Sequence, residues 1–269
     1  MIEKRTALVT LGISLVLLGV WRLKNASAVP SDKLTTMKKG DFEASGELTR
    51  DSDVPQLPTL YGFATEASRV LVLGDSQIDG ALGDMIEATL NAINPNVTPY
   101  RLGIPGVTAK KYLNNSEYKN KLNRSLTDAQ PDMIIIQLGD NGVDGEAEVK
   151  SLLQYLISKM NKKTKIVWIG AHPKTIPMNK DSKYVFTTQD KRDSSRYISN
   201  YNQLVSDWNE RIARGISHFK PLQDIYFVNP LLLFPFKKYS MSEMSFDGVH
   251  ILEEPAKDFL EILFTRELE

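Results

Sequence analysis

Short apolar runs, separated by helical patterns, begin near residue 69 and continue to the C-terminal part of the chain. Four of these runs predict buried strands: residues 69–73, 132–138, 165–170 and 225–228. A weaker run at residues 97–102 contains Pro99, which has no amide hydrogen for a sheet ladder. We therefore predict five strands, with the weaker one at an edge of the sheet.

Helical periodicity occupies the stretches between these strands. The predicted helices include residues 82–91, 149–160 and 198–212, and a last helix has Pro255 near its start. Buried strands that alternate with helices indicate a parallel sheet covered on both faces. Ligands of such sheets bind beyond the carboxyl ends of the strands. Functional residues should therefore directly follow strands.

The N-terminus has a different pattern. Residues 6–21 are uncharged and apolar, with Lys4 and Arg5 before them and Arg22 and Lys24 after them. This run is slightly shorter than the about 17–25 residues of a spanning helix and slightly longer than the about 7–15 residues of a signal-peptide core. We predict a signal peptide or membrane anchor at residues 1–24, a polar linker at residues 25–68 and a folded domain at residues 69–269.

Composition narrows the possible chemistry. Thirty-three basic residues balance thirty-three acidic ones, so no global charge favours nucleic acid. The chain has no cysteine, which excludes disulfides, thiolate nucleophiles and cysteine metal sites. It has three histidines without helical i, i+4 partners and no phosphate-binding Gly-x-x-x-x-Gly-Lys-Ser/Thr motif. We therefore expect no metal and no cofactor.

Two motifs together suggest nucleophilic catalysis by a serine. Ser76 follows the first strand in Gly-Asp-Ser, although read alone this motif is better explained as a helix cap. Asp247 precedes His250 by three residues, before the last helix, and this spacing lets the carboxylate orient the imidazole as a base for Ser76. His172, which follows the 165–170 strand, is a rival base.

Two further motifs offer hydrogen-bond donors at the same edge of the sheet. Asn141 lies in Gly-Asp-Asn-Gly after the 132–138 strand, where its amide could stabilise an oxyanion, although the same sequence favours a simple turn. Gly103 follows the weaker strand, where a glycine amide can approach a substrate closely, and read alone it is an ordinary loop glycine.

The order of these four blocks resembles that of the SGNH (GDSL-like) hydrolase family over about residues 69–264. The resemblance implies a three-layer α/β/α, flavodoxin-like fold with a five-stranded parallel sheet. It also implies a Ser76, Asp247 and His250 triad, with an oxyanion hole formed by the Ser76 and Gly103 amides and the Asn141 side chain. Gln77 after Ser76 and Gly142 after Asn141 depart from the usual family pattern, and Asp75 is expected to shape the loop.

The resulting expectation is a serine esterase that acts on an acylated small molecule, glycan or lipid. Short acyl groups on cell-wall or surface polysaccharide are the expected substrate, by analogy with exported enzymes of the family. An acyltransferase and a non-catalytic binding module on the same fold are the alternatives. The N-terminal segment predicts an extracytoplasmic protein, anchored in the membrane or secreted.

Overall fold

The fold is taken from a computed structural model of the chain. It describes residues 58–143, 145–160, 163–173, 194–219, 224–233 and 250–268, and in the helix that begins at residue 194 it describes side chains from residue 204 onward. The predicted N-terminal membrane segment, the predicted linker up to residue 57, and Asp247 lie outside these residues.

Five parallel strands form one sheet. They are β1 (Arg69–Gly74), β2 (Thr98–Gly103), β3 (Met133–Gln137), β4 (Lys165–Ile169) and β5 (Ile225–Val228). Their spatial order is β2-β1-β3-β4-β5, and every neighbouring pair is parallel. This is the flavodoxin-like order, so the predicted five-stranded parallel sheet is confirmed. The strand that contains Pro99 lies at an edge, as its missing amide hydrogen predicts.

Helices cover both faces of the sheet within the described residues. They are α1 (Leu60–Glu66), α2 (Ala81–Ile93), α3 (Ala109–Asn114), α4 (Ser116–Ala129), α5 (Glu146–Lys159), α6 (Ser194–Ser217), α7 (Pro230–Leu233) and α8 (Glu253–Thr265). Side chains of the central strands alternate between the two faces. Val70, Val72 and Ile135 pack with α1, α2 and α8, whereas Leu71, Ile134 and Trp168 pack with α3, α4, α5 and α6. The predicted three-layer α/β/α fold is confirmed.

The predicted boundary between linker and domain at residue 68 is wrong. Helix α1 lies inside the predicted linker, and Leu60, Phe63 and Ala64 on it are buried. The hydroxyl of Thr59 accepts a hydrogen bond from the Gly62 amide and begins the helix. The segment is short and is bounded by polar residues, so its apolar positions are too few to show helical periodicity in the sequence.

The described residues contain no helix that is both long and apolar enough to cross a membrane.

Candidate active site

The carboxyl ends of β1 and β3 form the topological switch point of the sheet. The chain goes from β1 to the edge strand β2 on one side and then returns to β3 on the other side. The loops that leave β1 and β3 therefore diverge and open a crevice between them. Ser76 lies in the first of these loops and Asn141 in the second. Ser76 and Asn141 thus lie where this fold usually binds its ligands.

The turn that carries Ser76 is held by backbone packing and by one buried carboxylate. A Cβ at Gly74 would come within 2.3 Å of the Ile78 side chain and 2.7 Å of the Gln137 carbonyl oxygen, so β1 can end this way only with glycine. The carboxylate of Asp75 is buried, and its Oδ1 accepts a hydrogen bond from the Gln77 amide at 3.0 Å. Asp75 therefore shapes the loop, as expected, and Ser76 between these two residues is half-buried.

Gly103 lies directly against the same turn. It pairs in register with Gly74, and a Cβ at this position would be 2.4 Å from the Asp79 amide nitrogen. The next amide, that of Ile104, donates to the Gly74 carbonyl at 3.1 Å. Because successive amides of a strand point to opposite sides, the Gly103 amide is not the one that pairs with β1. Gly103 therefore lies against the loop that carries Ser76, and the approach of its amide to a substrate stays a prediction.

Asn141 reaches the residue that precedes Ser76. It lies in a turn closed by a hydrogen bond of 2.9 Å from the Gly142 amide to the Gly139 carbonyl, with φ values of +137° and +96° at these two glycines. Its Nδ2 donates to Asp75 Oδ2 at 3.0 Å and to the Val107 carbonyl at 3.2 Å. A carboxamide NH₂ has two hydrogens, so each already has an acceptor in this structure.

His250 is brought to the same edge through Gln77. The amide of Ile251, the residue after His250, donates to Gln77 Oε1 at 3.4 Å, and Gln77 is only 2% exposed. This contact joins the residue after Ser76 to the residue after His250. The described residues include no hydrogen bond between the Ser76 hydroxyl and the His250 ring, and such contacts often form only when substrate is bound.

The rival base His172 is enclosed in the protein interior. Its side chain is 0% exposed, its Nδ1 lies 3.1 Å from Asp140 Oδ2, and its ring packs edge-on against Phe259. His172 is thus buried and its Nδ1 faces Asp140, whereas His250 is half-buried. The choice of His250 over His172 as the base of Ser76 stays a prediction.

Sequence reasoning missed Tyr112, whose hydroxyl contacts the backbone at the ends of β1 and β2, next to the site. Its hydroxyl lies 2.7 Å from the Gly74 carbonyl and 3.2 Å from the Leu102 carbonyl, at the ends of β1 and β2. Burial raises the pKa of this phenol well above its usual value, and the nearby Asp75 carboxylate raises the pKa further. Tyr112 is therefore a neutral donor that joins the two strand ends. One tyrosine in a lysine-rich segment gives no sequence signal for this role.

For Gln77 the only sequence signal is indirect, namely its departure from the family pattern.

No cluster of three acidic or histidine side chains that could hold a metal ion occurs in the described ranges.

The chain matches a known family over most of its length. The sequence profile of the family described as GDSL-like Lipase/Acylhydrolase matches residues 70–259. A comparison with curated proteins gives no sequence match.

The solved structures that are similar to this chain have low sequence identity to it. A protein from Slackia heliotrinireducens assigned to the SGNH hydrolases is 17% identical with a TM-score of 0.50, and the match covers 73% of this chain and 97% of that one. A GDSL-like lipase from Bacteroides thetaiotaomicron is also 17% identical, with a TM-score of 0.45 and coverage of 73% and 85%. An acetylxylan esterase from Geobacillus stearothermophilus is 15% identical, with a TM-score of 0.47 and coverage of 75% and 96%. The family match, which spans the sheet and its flanking helices, shows that the chain belongs to the GDSL-like lipase/acylhydrolase family.

Proposed function

We propose that the chain is a serine esterase in which Ser76 is the nucleophile, His250 is the general base and Asp247 orients His250. One observation carries the proposal: separate hydrogen bonds converge on the Ser76 turn from two distant parts of the chain. Asn141 contacts Asp75 at 3.0 Å on one side of Ser76, and Ile251 contacts Gln77 at 3.4 Å on the other side. These contacts join Asn141 and the residue after His250 to the loop that carries Ser76, which supports the proposed grouping of nucleophile, amide donor and base.

The reaction proceeds in two acyl-transfer steps. His250 removes the proton from Ser76 Oγ as this oxygen attacks the ester carbonyl carbon and the carbonyl oxygen becomes negatively charged. Collapse of this intermediate breaks the bond to the alcohol, which leaves with the proton from His250. Water, deprotonated by His250, then attacks the acyl-enzyme, and the acid is released while Ser76 regains its proton.

Three donors stabilise the oxyanion in this proposal: the Ser76 amide, the Gly103 amide and Asn141 Nδ2. The two hydrogens of Asn141 Nδ2 already donate to Asp75 and to Val107, so one hydrogen bond must be exchanged. The contact with the neutral Val107 carbonyl is the longer one, at 3.2 Å against 3.0 Å to the Asp75 carboxylate. Hydrogen bonds to a charged acceptor are the stronger ones. The oxyanion therefore replaces the Val107 carbonyl, and Asp75 keeps the amide in place.

The proposed substrate is a short acyl ester on a cell-wall or surface polysaccharide, with lipid esters as the next class to test. Support comes from the apolar segment at residues 6–21 with its basic flanks, which is typical of export or anchoring. An exported enzyme meets polymers outside the cytoplasm. N-terminal sequencing of the mature protein tests this location, since cleavage near Ala28 indicates secretion and an intact N-terminus in the membrane fraction indicates an anchor.

Turnover of p-nitrophenyl acetate by the wild-type chain and two matched variants tests the activity. Ser76→Ala removes the nucleophile, whereas Ser151→Ala removes a serine hydroxyl that donates only to its own helix, to the Ala147 carbonyl. We expect Ser76→Ala to lose at least about 10³-fold in kcat and Ser151→Ala to retain wild-type turnover. Equal turnover by all three proteins would overturn the proposal.

The fate of the acetyl group in this reaction distinguishes hydrolysis from transfer, because p-nitrophenol is released in both cases. With a glycan added as acceptor, release of the acetyl group as free acid supports the esterase. Faster transfer of the acyl group to glycan hydroxyls than to water would show an acyltransferase instead. Folded wild-type protein without any turnover on a panel of acyl esters would indicate a binding module.

A further inference from the structure

A buried polar cluster lies beside the turn that carries Asn141, and the proposed mechanism does not use it. The cluster consists of Gln137, Asp140 and His172 and is called the Asp140 cluster here. Its three members are 0%, 4% and 0% exposed, respectively. Charged and amide side chains are seldom buried this completely, so their placement requires a physical explanation.

Asp140 links the ends of β3 and β4. Its Oδ1 accepts a hydrogen bond from the His172 backbone amide at 3.0 Å. Its Oδ2 accepts one from Gln137 Nε2 at 2.6 Å and lies 3.1 Å from His172 Nδ1. An imidazole that carries its proton on Nδ1 donates to this oxygen as well. The carboxylate therefore holds the last residue of β3 and the loop that follows β4 in one arrangement.

The turn between Gly139 and Gly142 is thereby held from two sides. Asp140 and Asn141 are its two central residues, and their side chains make contacts in different places. Asp140 contacts the Gln137 and His172 side of the turn, and Asn141 Nδ2 contacts Asp75 Oδ2 at 3.0 Å. A displacement of Asp140 would thus move the backbone from which the Asn141 amide extends.

Stability alone does not explain the cluster. Gln137 Oε1 and His172 Nε2 are buried, and neither has a hydrogen-bond partner within the described part of the chain. Apolar side chains of similar shape would fill this space without unpaired polar atoms, and such replacements are often neutral or stabilising. Gln137 and His172 contact each other, with 3.2 Å between Gln137 Nε2 and His172 Nδ1, and both also contact Asp140. Asp140 also accepts the His172 backbone amide, so three of these four contacts fix its carboxylate.

We propose that the Asp140 cluster is a positioning device for the oxyanion hole, in which Asp140 acts through Asn141. Asp140 does not touch the substrate. It fixes the turn so that the Asn141 amide faces the charge that develops on the carbonyl oxygen, and Gln137 and His172 fix Asp140. This role rests on the proposed esterase function.

A double-mutant cycle between Asp140→Asn and Asn141→Ala tests the proposal in the full chain. Deleting one oxyanion donor lowers kcat by about 10²–10³-fold, so Asn141→Ala is expected to fall in this range. Asp140→Asn keeps the side-chain shape but places an amide where two donors require an acceptor. We expect it to lower kcat by about 10–100-fold, with KM changed less than about threefold, because only transition-state stabilisation is affected.

The decisive measurement is the effect of Asp140→Asn when Asn141 is already alanine. A residue that acts through Asn141 has little left to position, so kcat should fall by less than about threefold further. Thr164→Val is the matched control, since Thr164 Oγ1 donates to the Pro131 carbonyl at 3.0 Å and joins the opposite ends of the same two strands. The control should lower the melting temperature while kcat stays at the wild-type value.

The possible outcomes separate this proposal from the esterase proposal. Wild-type protein without turnover that depends on Ser76 overturns both. If the wild type is active and Asp140→Asn lowers kcat by the same factor whether residue 141 is asparagine or alanine, the positioning role is wrong and the esterase proposal stands. If Asp140→Asn does not fold, Gln137→Met removes one donor to Asp140 with little change of shape, and the same cycle with Asn141→Ala gives the decision.

Discussion

At the scale of single residues, the proposed oxyanion hole depends on the two hydrogens of the Asn141 side-chain amide. Asn141 Nδ2 has two hydrogens and two acceptors, Asp75 Oδ2 and the Val107 carbonyl. The Gly-Asp-Asn-Gly sequence favours a turn, which is present, and the oxyanion donor that it also offers stays a prediction. The sequence could not show that the donor is already engaged, because Asp75 and Val107 lie 66 and 34 positions away along the chain.

A substitution at Gln77 tests whether its contact with the Ile251 amide is only structural or also supports catalysis. Gln77→Met removes the acceptor of the buried Ile251 amide, which is expected to reduce the free energy of unfolding by about 1–3 kcal/mol. It should also lower kcat, because the segment that begins with His250 loses its link to the Ser76 turn. Urea unfolding and steady-state kinetics measure the two effects. If Gln77→Met keeps wild-type kcat while it loses stability as Thr164→Val does, the contact is only structural.

At the scale of elements, periodicity predicts the parts that are long or fully buried. The runs at β1, β3 and β4 each contain four consecutive apolar residues, and α5 and α8 have regular apolar positions, so their sequences show them clearly. Helices α3 and α4 were missed because lysine, asparagine and serine dominate residues 109–129 and few positions face the core. Helix α1 was missed because it is seven residues long.

Leu60 tests whether α1 belongs to the folded domain. Leu60 is fully buried in the core on one face of the sheet, so Leu60→Ala should reduce the free energy of unfolding by about 2–5 kcal/mol. The exposed Thr65 on the same helix serves as a control, and Thr65→Ala should change this free energy by less than about 0.5 kcal/mol. Chemical unfolding of both variants measures the difference. Equal stabilities would mean that α1 is part of the linker after all.

At the scale of the whole molecule, the buried phenol of Tyr112 makes folding sensitive to alkaline pH. Its pKa is raised in the folded state above the usual value of 10.0. Below about pH 10 both states keep the proton and the shift has no effect. Above this pH the unfolded state loses the proton while the folded state retains it, so stability falls as pH rises.

Tyr112→Phe isolates this contribution. Above about pH 10 the wild type should lose up to about 1.4 kcal/mol of unfolding free energy per pH unit more than the variant, since one proton is involved. Urea titrations between about pH 8 and pH 11.5 measure both slopes, and the other tyrosines contribute equally to the two proteins. Parallel slopes for wild type and variant would contradict the assigned environment of Tyr112.

The order of blocks along the chain was sufficient to predict the architecture and to select residues at one edge of the sheet. Ser76 follows β1, Gly103 is the last residue of β2, and Asn141 follows β3. The order of the strands brings these three positions to one edge of the sheet. The supporting contacts of Gln77, Asp140 and Tyr112 could not be predicted, because each joins a side chain to a backbone atom that is distant along the chain. Such pairings depend on register and loop conformation, which periodicity does not encode.

The central claim is that Ser76 is the nucleophile, and covalent labelling tests it most directly. The folded protein is treated with a fluorophosphonate, digested, and the modified peptide is located by mass spectrometry. We predict one adduct on Ser76, no adduct in Ser76→Ala and much slower labelling in His250→Ala, because the base no longer activates the hydroxyl. Absence of labelling of folded wild-type protein, or an adduct on another residue, would contradict the account.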